Sequence, residues 1–138
     1  MSASVGLQDI ILARLRGSDA VAALVGQKIY DGVPTTAAYP YVSLGATDLR
    51  LDDADCVSGR EETVQIDCWS QDNARLWPCK ALVDSVVRAL VKEGGDADEI
   101  PDGFVLEFRL ELARVFLDAD AKTAHGVVQV TAIVEEID

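Results

Sequence analysis

The chain has 138 residues, of which 49% are hydrophobic and 26% are charged, as is typical of a single globular domain. Its formal net charge is −12, from 24 acidic and 12 basic residues. This balance argues against a protein that grips nucleic-acid phosphates, because that function needs clustered Lys and Arg. It is compatible with a surface that DNA passes without sticking, since like charges repel.

The cysteines and the N-terminus bear on the compartment of the protein. Cys56, Cys68 and Cys79 match no zinc-site spacing, and we interpret them as reduced thiols of a cytosolic protein. The N-terminus lacks a basic segment followed by an apolar core, so no secretory signal is predicted. No apolar run approaches the ~20 residues that span a bilayer. The sequence therefore predicts a soluble protein made in the cytoplasm.

The first 26 residues predict two amphipathic helices in succession. Apolar residues at helical spacing follow a suitable N-cap at Ser4, and Gly17 ends this first helix. Ser18 or Asp19 is expected to cap a second, shorter helix, which Gly26 ends.

Three strands are predicted over the next 44 residues or so by their apolar and alternating pattern. The first is short (28–30) and is followed by a proline-containing loop. The second covers 41–51, where Gly45 allows a bulge or a close backbone approach. The third covers 62–70, and the acidic segment 51–59 between them is predicted to be the long tip of a hairpin.

A long helix is predicted after the third strand. Asp72 or Asn73 is the expected cap, and Pro78 is tolerated only in the first turn, so the helix should begin between Asn73 and Trp77. Gly94 and Gly95 are expected to stop it. One face of this helix carries an apolar stripe formed by Leu76, Leu82, Val83, Val86, Val87 and Leu90.

The C-terminal third predicts a second hairpin, around which the rest of the fold is organised. Large apolar residues occupy every second position from Phe104 to Leu112, with charged residues between them from Glu107 to Glu111. A polar loop (118–126) should lead into the partner strand (127–137). The whole order predicts an α+β domain, with a mostly antiparallel sheet of four to five strands and helices packed on one face.

The residue types that carry chemistry do not form a recognisable catalytic or metal-binding pattern. His125, the only histidine, precedes a glycine and is interpreted as a turn residue. No nucleophile elbow, glycine-rich phosphate loop, HExxH helix or Cys–His spacing is present. Glu61 and Glu62 are adjacent in a strand and so should point to opposite faces. We therefore predict no enzyme activity, no catalytic residue and no cofactor.

Two acidic clusters contain the oxygen ligands that a hard cation needs. They are Asp52, Asp53 and Asp55 in one loop, and Asp118 with Asp120 in another. Oxygen ligands suit calcium, but neither cluster has the glycine and distal Glu of a calcium loop. We interpret both as solvated loop tips, and no metal site is predicted.

The end of the first strand of the C-terminal hairpin is apolar on both faces. The residues concerned are Ala113, Val115, Phe116 and Leu117, and they are echoed by Val127 and Ile133 on the partner strand. Either a segment of the same chain covers the second face, or another subunit does, because contiguous exposed apolar area usually marks a partner surface. Trp69 and Trp77 are further candidates for interface anchors or for the core.

Several segments together resemble a known family. They are LQDIILARL with ALVG, IYDGVP, YPYVSLG, DCWS and FLDADAKTAHGVVQV, in that order along nearly the whole chain. In this combination the sequence is similar to the small tail-completion proteins of tailed phages, prophages and gene transfer agents, which resemble the tail terminators of long flexible-tailed phages. The resemblance implies a single tail-terminator-like domain over residues 1–138, with a mixed sheet flanked by helices.

The resemblance also implies a structural role. A tail terminator forms a homohexameric ring that caps the finished tail tube, stops its polymerisation and offers the surface to which the head is attached. The implied partners are the major tail tube protein and the head–tail connector protein, with DNA passing through unbound and no membrane involved. Such a protein would be cytoplasmic during assembly and then part of the particle tail. The tip carrying Asp52, Asp53, Asp55 and Arg60 is the segment expected to contact the tube or line the channel.

Two other functions remain open at this point. One is a head–tail joining ring of the same particle, which the sequence scarcely distinguishes from a terminator. The other is a small acidic ligand-binding module that uses the two aspartate clusters.

Overall fold

The computed structural model describes residues 2–52, 59–91, 98–100 and 103–136. Its helices are α1 (Ala3–Arg16), α2 (Asp19–Val25) and α3 (Trp77–Leu90). Its strands are β1 (Ile29–Tyr30), β2 (Tyr41–Asp52), β3 (Gly59–Gln71), β4 (Asp98–Ile100), β5 (Gly103–Leu117) and β6 (Thr123–Glu136). These strands form one sheet in the order β1-β2-β3-β6-β5-β4. None of the described helices is both long and apolar enough to cross a membrane.

The predicted α+β class is confirmed, but the sheet is larger and less uniform than four to five antiparallel strands. β1 runs parallel to β2, with Ile29 opposite Val42, whereas the other neighbouring strands pair antiparallel. β4 adds a sixth strand at the opposite edge, in a segment for which the sequence predicts no strand. Strands of two or three residues are too short to display an alternating pattern, so their pairing could not be predicted.

The helices pack on one face of the sheet, which we call the helix-side face. α1 and α3 contact the sheet directly, and α2 packs against both of them. Every second residue of β6 points into this core and is buried: Val128, Val130, Ala132 and Val134. The opposite face, which we call the open face, carries the alternate residues of the same strands, and none of the described helices packs on it.

Gly126 allows α3 to lie close to β6. A Cβ atom at this position would collide with Val83 Cγ2 and would lie 3.0 Å from Cys79 Sγ. The sequence prediction treated Gly126 as part of a turn. Instead it lies in β6, where a larger residue would push α3 away from the sheet.

Arg14 connects the first helix to the far edge of the sheet. Its Nη1 atom donates to the carbonyl oxygen of Leu90, 2.8 Å away, at the end of α3. Its Nη2 atom forms an ion pair with Asp98 in β4, and the guanidinium lies 4.7 Å above the ring of Phe108 in β5. One side chain thus fixes the positions of α1, α3, β4 and β5 relative to one another.

The predicted caps are partly confirmed. Ser18 caps α2, with its Oγ accepting from the N–H of Val21 at 3.3 Å, and Gly26 follows that helix with a φ of 62°. The first helix is capped by Ser2 rather than Ser4. Ser4 lies in the first turn of α1, and its hydroxyl donates to Glu62 Oε1 at 2.7 Å instead.

α3 begins at Trp77, the last position of the predicted range, but neither of the predicted caps, Asp72 and Asn73, precedes it directly. Asn73 and Ala74 have φ values of 52° and 60°, which are left-handed and incompatible with a helix start. The helix therefore begins at Trp77, after Leu76, which provides no side-chain cap, and Pro78 lies in the first turn as expected. Its last residue is Leu90, and the predicted stop at 94–95 lies outside the described residues.

The alternating sequence of β5 predicts that every second side chain from Phe104 to Leu112 lies on one face of the sheet. This prediction is wrong. The register of β5 with β6 shifts between Val105 and Glu107, and again between Leu110 and Leu112. Each shift inserts one extra residue and exchanges the two faces. Phe108 and Leu110 therefore point to the helix side, whereas Phe104, Leu112 and Phe116 point to the open face.

The turn between β5 and β6 is shorter than the predicted loop, because pairing continues to Leu117 and Ala124. Asp120 closes this turn. Its carboxylate accepts from the N–H of Lys122 at 2.9 Å, and from the N–H and hydroxyl of Thr123 at 2.8 and 2.6 Å. These bonds, with those from Thr123 the largest, lower the pKa of Asp120 to about 2.

Candidate functional site

The open face carries a row of neighbouring aromatic rings that crosses the four long strands. We call Tyr41, Trp69, His125 and Phe116 the aromatic row. Tyr41 pairs with Trp69, Trp69 with His125, and His125 with Phe116, so the four lie side by side on β2, β3, β6 and β5. Their successive ring centroids are 6.3, 3.9 and 5.1 Å apart.

Buried polar groups hold the centre of the aromatic row in place. His125 Nε2 lies 2.7 Å from Asp67 Oδ1, which also accepts from Gln65 Nε2 at 2.9 Å. Trp69 Nε1 donates to Ser43 Oγ at 3.0 Å. Asp67 and Ser43 are 8% and 6% exposed. Because these polar groups are hydrogen-bonded within the chain, the rings are held in place without a binding protein.

The two ends of the aromatic row differ in chemistry. At the β2 end, the ring centroids of Tyr39 and Tyr41 are 5.3 Å apart, and burial raises the pKa of Tyr41, with a smaller effect from Tyr39. At the β5 end, the guanidinium of Arg114 lies 5.0 Å from the ring centroid of Phe116. The row therefore ends in phenol groups on one side and a cation over a ring on the other.

A polar hollow of about 670 Å³ lies beyond the aromatic row on the same face. It is lined by Asp48, Leu49, Arg50, Glu61, Thr63, Arg109, Glu111, Gln129 and Thr131. Arg109 Nε donates to Glu111 Oε1 at 3.1 Å, and this bond, followed by one from Thr131, lowers the pKa of Glu111. Acidic and basic side chains both line the hollow, so its surface carries charges of both signs rather than one.

No metal-binding arrangement is found in the part of the chain that the structure describes, where no group of three or more His, Cys, Asp or Glu side chains converges. Asp118 and Asp120 do not act together, since the Asp120 carboxylate is engaged by the turn. Glu61 and Glu62 point to opposite faces, as predicted. Glu61 lines the polar hollow, whereas Glu62 is 2% exposed on the helix side.

The six predicted interface residues are spread over both faces of the strand ends. Ala113 and Leu117 are exposed on the helix-side face, beside the half-buried Val115. The other three, Phe116, Val127 and Ile133, are half-buried on the open face. None of the six is fully covered by the described part of the chain.

The two tryptophans lie in different surroundings. Trp69 belongs to the aromatic row and is half-buried. Trp77 is 63% exposed at the start of α3. It lines an apolar groove of about 310 Å³ with Leu24, Pro40 and Leu82.

The predicted tip residues are only partly described. Asp53 and Asp55 lie outside the described residues, and Asp52 is the last residue of β2. Arg60 lies in β3 rather than in the loop. Its guanidinium contacts Glu62 Oε1 and Glu136 Oε1, both at 2.7 Å, so Arg60 holds strands together on the helix side.

The aromatic row is not predicted as a unit from the sequence. Trp69 and Phe116 stand out separately, His125 resembles a turn residue, and the sequence indicates no role for Tyr41 or Asp67. The usable signal was the hairpin itself, because pairing 41–51 with 62–70 brings Tyr41 near Trp69. The sequence does not predict that His125 belongs to the row, because it predicts a loop as far as residue 126.

The family model described as tail completion protein gp17 matches residues 9–135. This chain belongs to the gp17 tail-completion family. The tail-completion protein is also similar to a chain in the "Virion of native gene transfer agent (GTA) particle", with 27% identity and a TM-score of 0.86. That match covers 97% of this chain and 98% of the other.

A second solved structure, "Structure of bacteriophage SPP1 gp17 protein", matches the tail-completion protein with 21% identity and a TM-score of 0.56. It covers 99% of this chain and 91% of the other, and at this identity it shows a shared fold. No curated protein matches the sequence. The family and the gene transfer agent match identify a structural protein of virion tails, in agreement with the resemblance stated above.

Proposed function

We propose that the tail-completion protein caps the finished tail tube as a homohexameric ring, stops its polymerisation and presents the surface to which the head is attached. The observation that carries the proposal is the end-to-end match to a chain of a gene transfer agent virion, together with membership of the tail-completion family. The proposed partners are the major tail tube protein on one side of the ring and the head–tail connector protein on the other. Assembly takes place in the cytoplasm, and the protein then stays in the particle.

The surface chemistry supports a role in assembly. The aromatic row is ordered and open, and the predicted interface residues, Ala113, Val115, Phe116, Leu117, Val127 and Ile133, keep apolar area uncovered. Ordered rings and uncovered apolar area are the features from which protein interfaces are built. We propose that these six residues contact a neighbouring subunit.

The net charge supports passage of DNA through the ring. A net charge of −12 per chain, repeated around a ring, repels phosphates and so keeps DNA from binding in the channel. The tip that includes Asp52, Asp53 and Asp55 is proposed to contact the tube or line the channel. Arg60 is left out of this proposal because its guanidinium is held by Glu62 and Glu136.

Electron microscopy of particles made without this protein tests the proposal. Overlong tails without heads are the expected result, because nothing stops tube growth or offers an attachment surface. Detached tails of normal length would instead assign the head–tail joining function. Supplying the wild-type gene separately must restore normal particles, and a chain with Asp52, Asp53, Asp118 and Asp120 changed to Asn should do the same. Failure of that variant, with a lost binding heat for a metal or metabolite, would favour a ligand-binding module.

A further inference from the structure

The sheet has two long edges that the described chain leaves unpaired. β1 covers β2 only at Val42 and Ser43, and β4 covers β5 only over Gly103–Val105. In the part of the chain that the structure describes, the rest of each edge (44–52 and 106–117) has no strand beside it. Long free edges are templates for pairing with another chain.

We propose that the β5 edge of one copy pairs with the β2 edge of the next copy, so that the sheet continues from subunit to subunit. This inference rests on the ring proposed above and names the surface through which its subunits join. Three antiparallel pairings separate β2 from β5, so the two strands run in opposite directions. Repeating the sheet with all helices on the same side therefore places β5 antiparallel to the next β2, the pairing that the rest of the sheet uses.

The rows of paired residues across the sheet predict the register of this junction. One row runs through Arg50, Glu61, Ile133 and Glu107, and the next through Asp48, Thr63, Thr131 and Arg109. Extending both rows into the next copy places Glu107 opposite Arg50 and Arg109 opposite Asp48. Each pair joins opposite charges on the open face, an arrangement that stabilises neighbouring strands.

Other registers lose this complementarity. A slip of two residues in one direction places Arg109 opposite Arg50, and in the other direction it places Glu107 opposite Asp48. Like charges directly opposite each other destabilise a strand pair. A slip of one residue would place Glu107 and Arg109 opposite residues that face the helix side of the next copy, and the pleat does not allow this when both sheets keep their helices on the same side. The unshifted register is therefore the favoured one.

The helix-side face of the junction is complementary in another way. Leu110 is 40% exposed on β5, and the same register places it opposite Thr47 of the next copy. Thr47 borders a groove of about 380 Å³ between α1 and β2, whose apolar lining includes Val5 and Leu49. Val5 and Leu49 are 57% and 51% exposed. Pairing of the edges would bring these apolar groups together and remove them from water.

Disulfide trapping tests the register directly. Thr47→Cys and Leu110→Cys in one chain place two thiols opposite each other at the junction, and mild oxidation of the concentrated protein, with tail tubes present, should give a ladder of covalent oligomers. The matched control pairs Leu110→Cys with Leu49→Cys, which tests the slipped register. We expect the first pair to cross-link about tenfold more than the control. Equal yields, or no ladder from either pair, would overturn the inference.

Charge exchange provides a second test that does not change the net charge. One variant carries Glu107→Arg with Arg109→Glu, and another carries Asp48→Arg with Arg50→Asp. Each should lower the cross-linking yield of the Thr47–Leu110 pair about tenfold, and combining all four changes should restore it. If the combined variant cross-links no better than either exchange alone, the proposed register is wrong. Thermal unfolding of each variant shows whether the monomer remains folded.

The junction and the capping function can fail separately. If particles lacking the protein have overlong tails but the cysteine variants give no cross-links, the terminator function is supported and the proposed junction is wrong. If the cross-links form in the expected register but those particles have tails of normal length, the junction is supported and the terminator function is wrong.

Discussion

His125 and Asp67 face each other across β6 and β3, with 2.7 Å between Nε2 and Oδ1. The same imidazole ring lies parallel to the Trp69 indole, at a centroid distance of 3.9 Å and an interplanar angle of 10°. One side chain thus joins two strands through a polar contact and a stacking contact. Both are on the open face, where neighbouring side chains rather than a helix provide the cover.

Two substitutions of His125 should distinguish the contribution of the polar contact to stability from that of the stacking contact. His125→Ala removes both and leaves Asp67 with Gln65 as its remaining partner, so we expect a loss of about 1–3 kcal/mol in the free energy of unfolding. His125→Phe keeps the stack on Trp69 and should lose about 0.5–1.5 kcal/mol less than the alanine variant. Urea denaturation followed by circular dichroism measures both. Wild-type stability in the alanine variant would show that the pair contributes nothing.

Arg60 and Glu62 should behave as a buried ion pair. Glu62 is 2% exposed, so Arg60→Ala leaves a buried carboxylate with Ser4 as its other partner. We expect a loss of about 3–5 kcal/mol in the free energy of unfolding. The double variant Arg60→Leu with Glu62→Leu should be more stable than Arg60→Ala, because no buried charge remains.

A matched surface pair controls for the loss of an arginine. Arg109→Ala removes the exposed contact with Glu111 and should leave the free energy of unfolding nearly unchanged, because water screens an exposed ion pair. A loss at Arg60 no larger than the loss at Arg109 would contradict the burial argument. All four proteins can be compared by guanidinium denaturation at neutral pH.

Asp120 should make the turn between β5 and β6 sensitive to acid. Its pKa is about 2 in the folded protein, against about 3.9 for an ordinary aspartate. Because the folded pKa is the lower one, the stabilisation is fully present above about pH 4 and is lost as the pH falls towards 2. Asp120→Asn should remove this part of the pH dependence of unfolding, whereas Asp118→Asn should retain it. Identical acid profiles for the wild type and Asp120→Asn would contradict the assignment.

The buried cysteines should be inert in the folded protein. Burial raises the pKa of Cys68 well above its ordinary value, and it raises the pKa of Cys79 to about 11. Since the thiolate is the reactive form, iodoacetamide at pH 8 should modify neither residue until urea is added. Peptide mass spectrometry reads each site separately. Native labelling of Cys79 at the rate seen in urea would contradict the packing of α3 on β6.

The sequence pattern predicts an element correctly where buried residues recur at a regular spacing. It fails where the conformation of one backbone position determines where an element begins or ends. The stripe of α3 and the alternation of β6 predicted the layer of helices on the sheet. Left-handed Asn73 and Ala74 delayed the helix, although Asn73 is a good capping residue type. Gly126 and His125 look like turn residues in sequence, but tertiary packing against Val83 and Trp69 keeps them in a strand.

The candidate site was predictable only in part, for related reasons. The sequence predicts that Ala113, Val115, Phe116 and Leu117 are covered either by the same chain or by another subunit. In the described part of the chain each of the four keeps some exposed area. Their distribution over the two faces was not predictable, because nothing in the local sequence marks the two register shifts of β5. Arg60 is predicted to lie in a loop because the residues before it are small and acidic. Its ion pairs are instead with Glu62 in β3 and Glu136 in β6, and it also donates to the Ser4 hydroxyl of α1, so its position depends on contacts that are distant in sequence.

The two extra residues of β5 have a consequence for how its length can vary. Leu106 and Glu111 are not paired with any residue of β6. Removing either one would therefore leave every paired residue of β5 on the face of the sheet that it now occupies. Removing a paired residue between them, such as Arg109, would turn the following side chains over, sending polar groups into the core and leucines into solvent. Relatives that differ by a single residue in this strand should therefore gain or lose it at one of these two places.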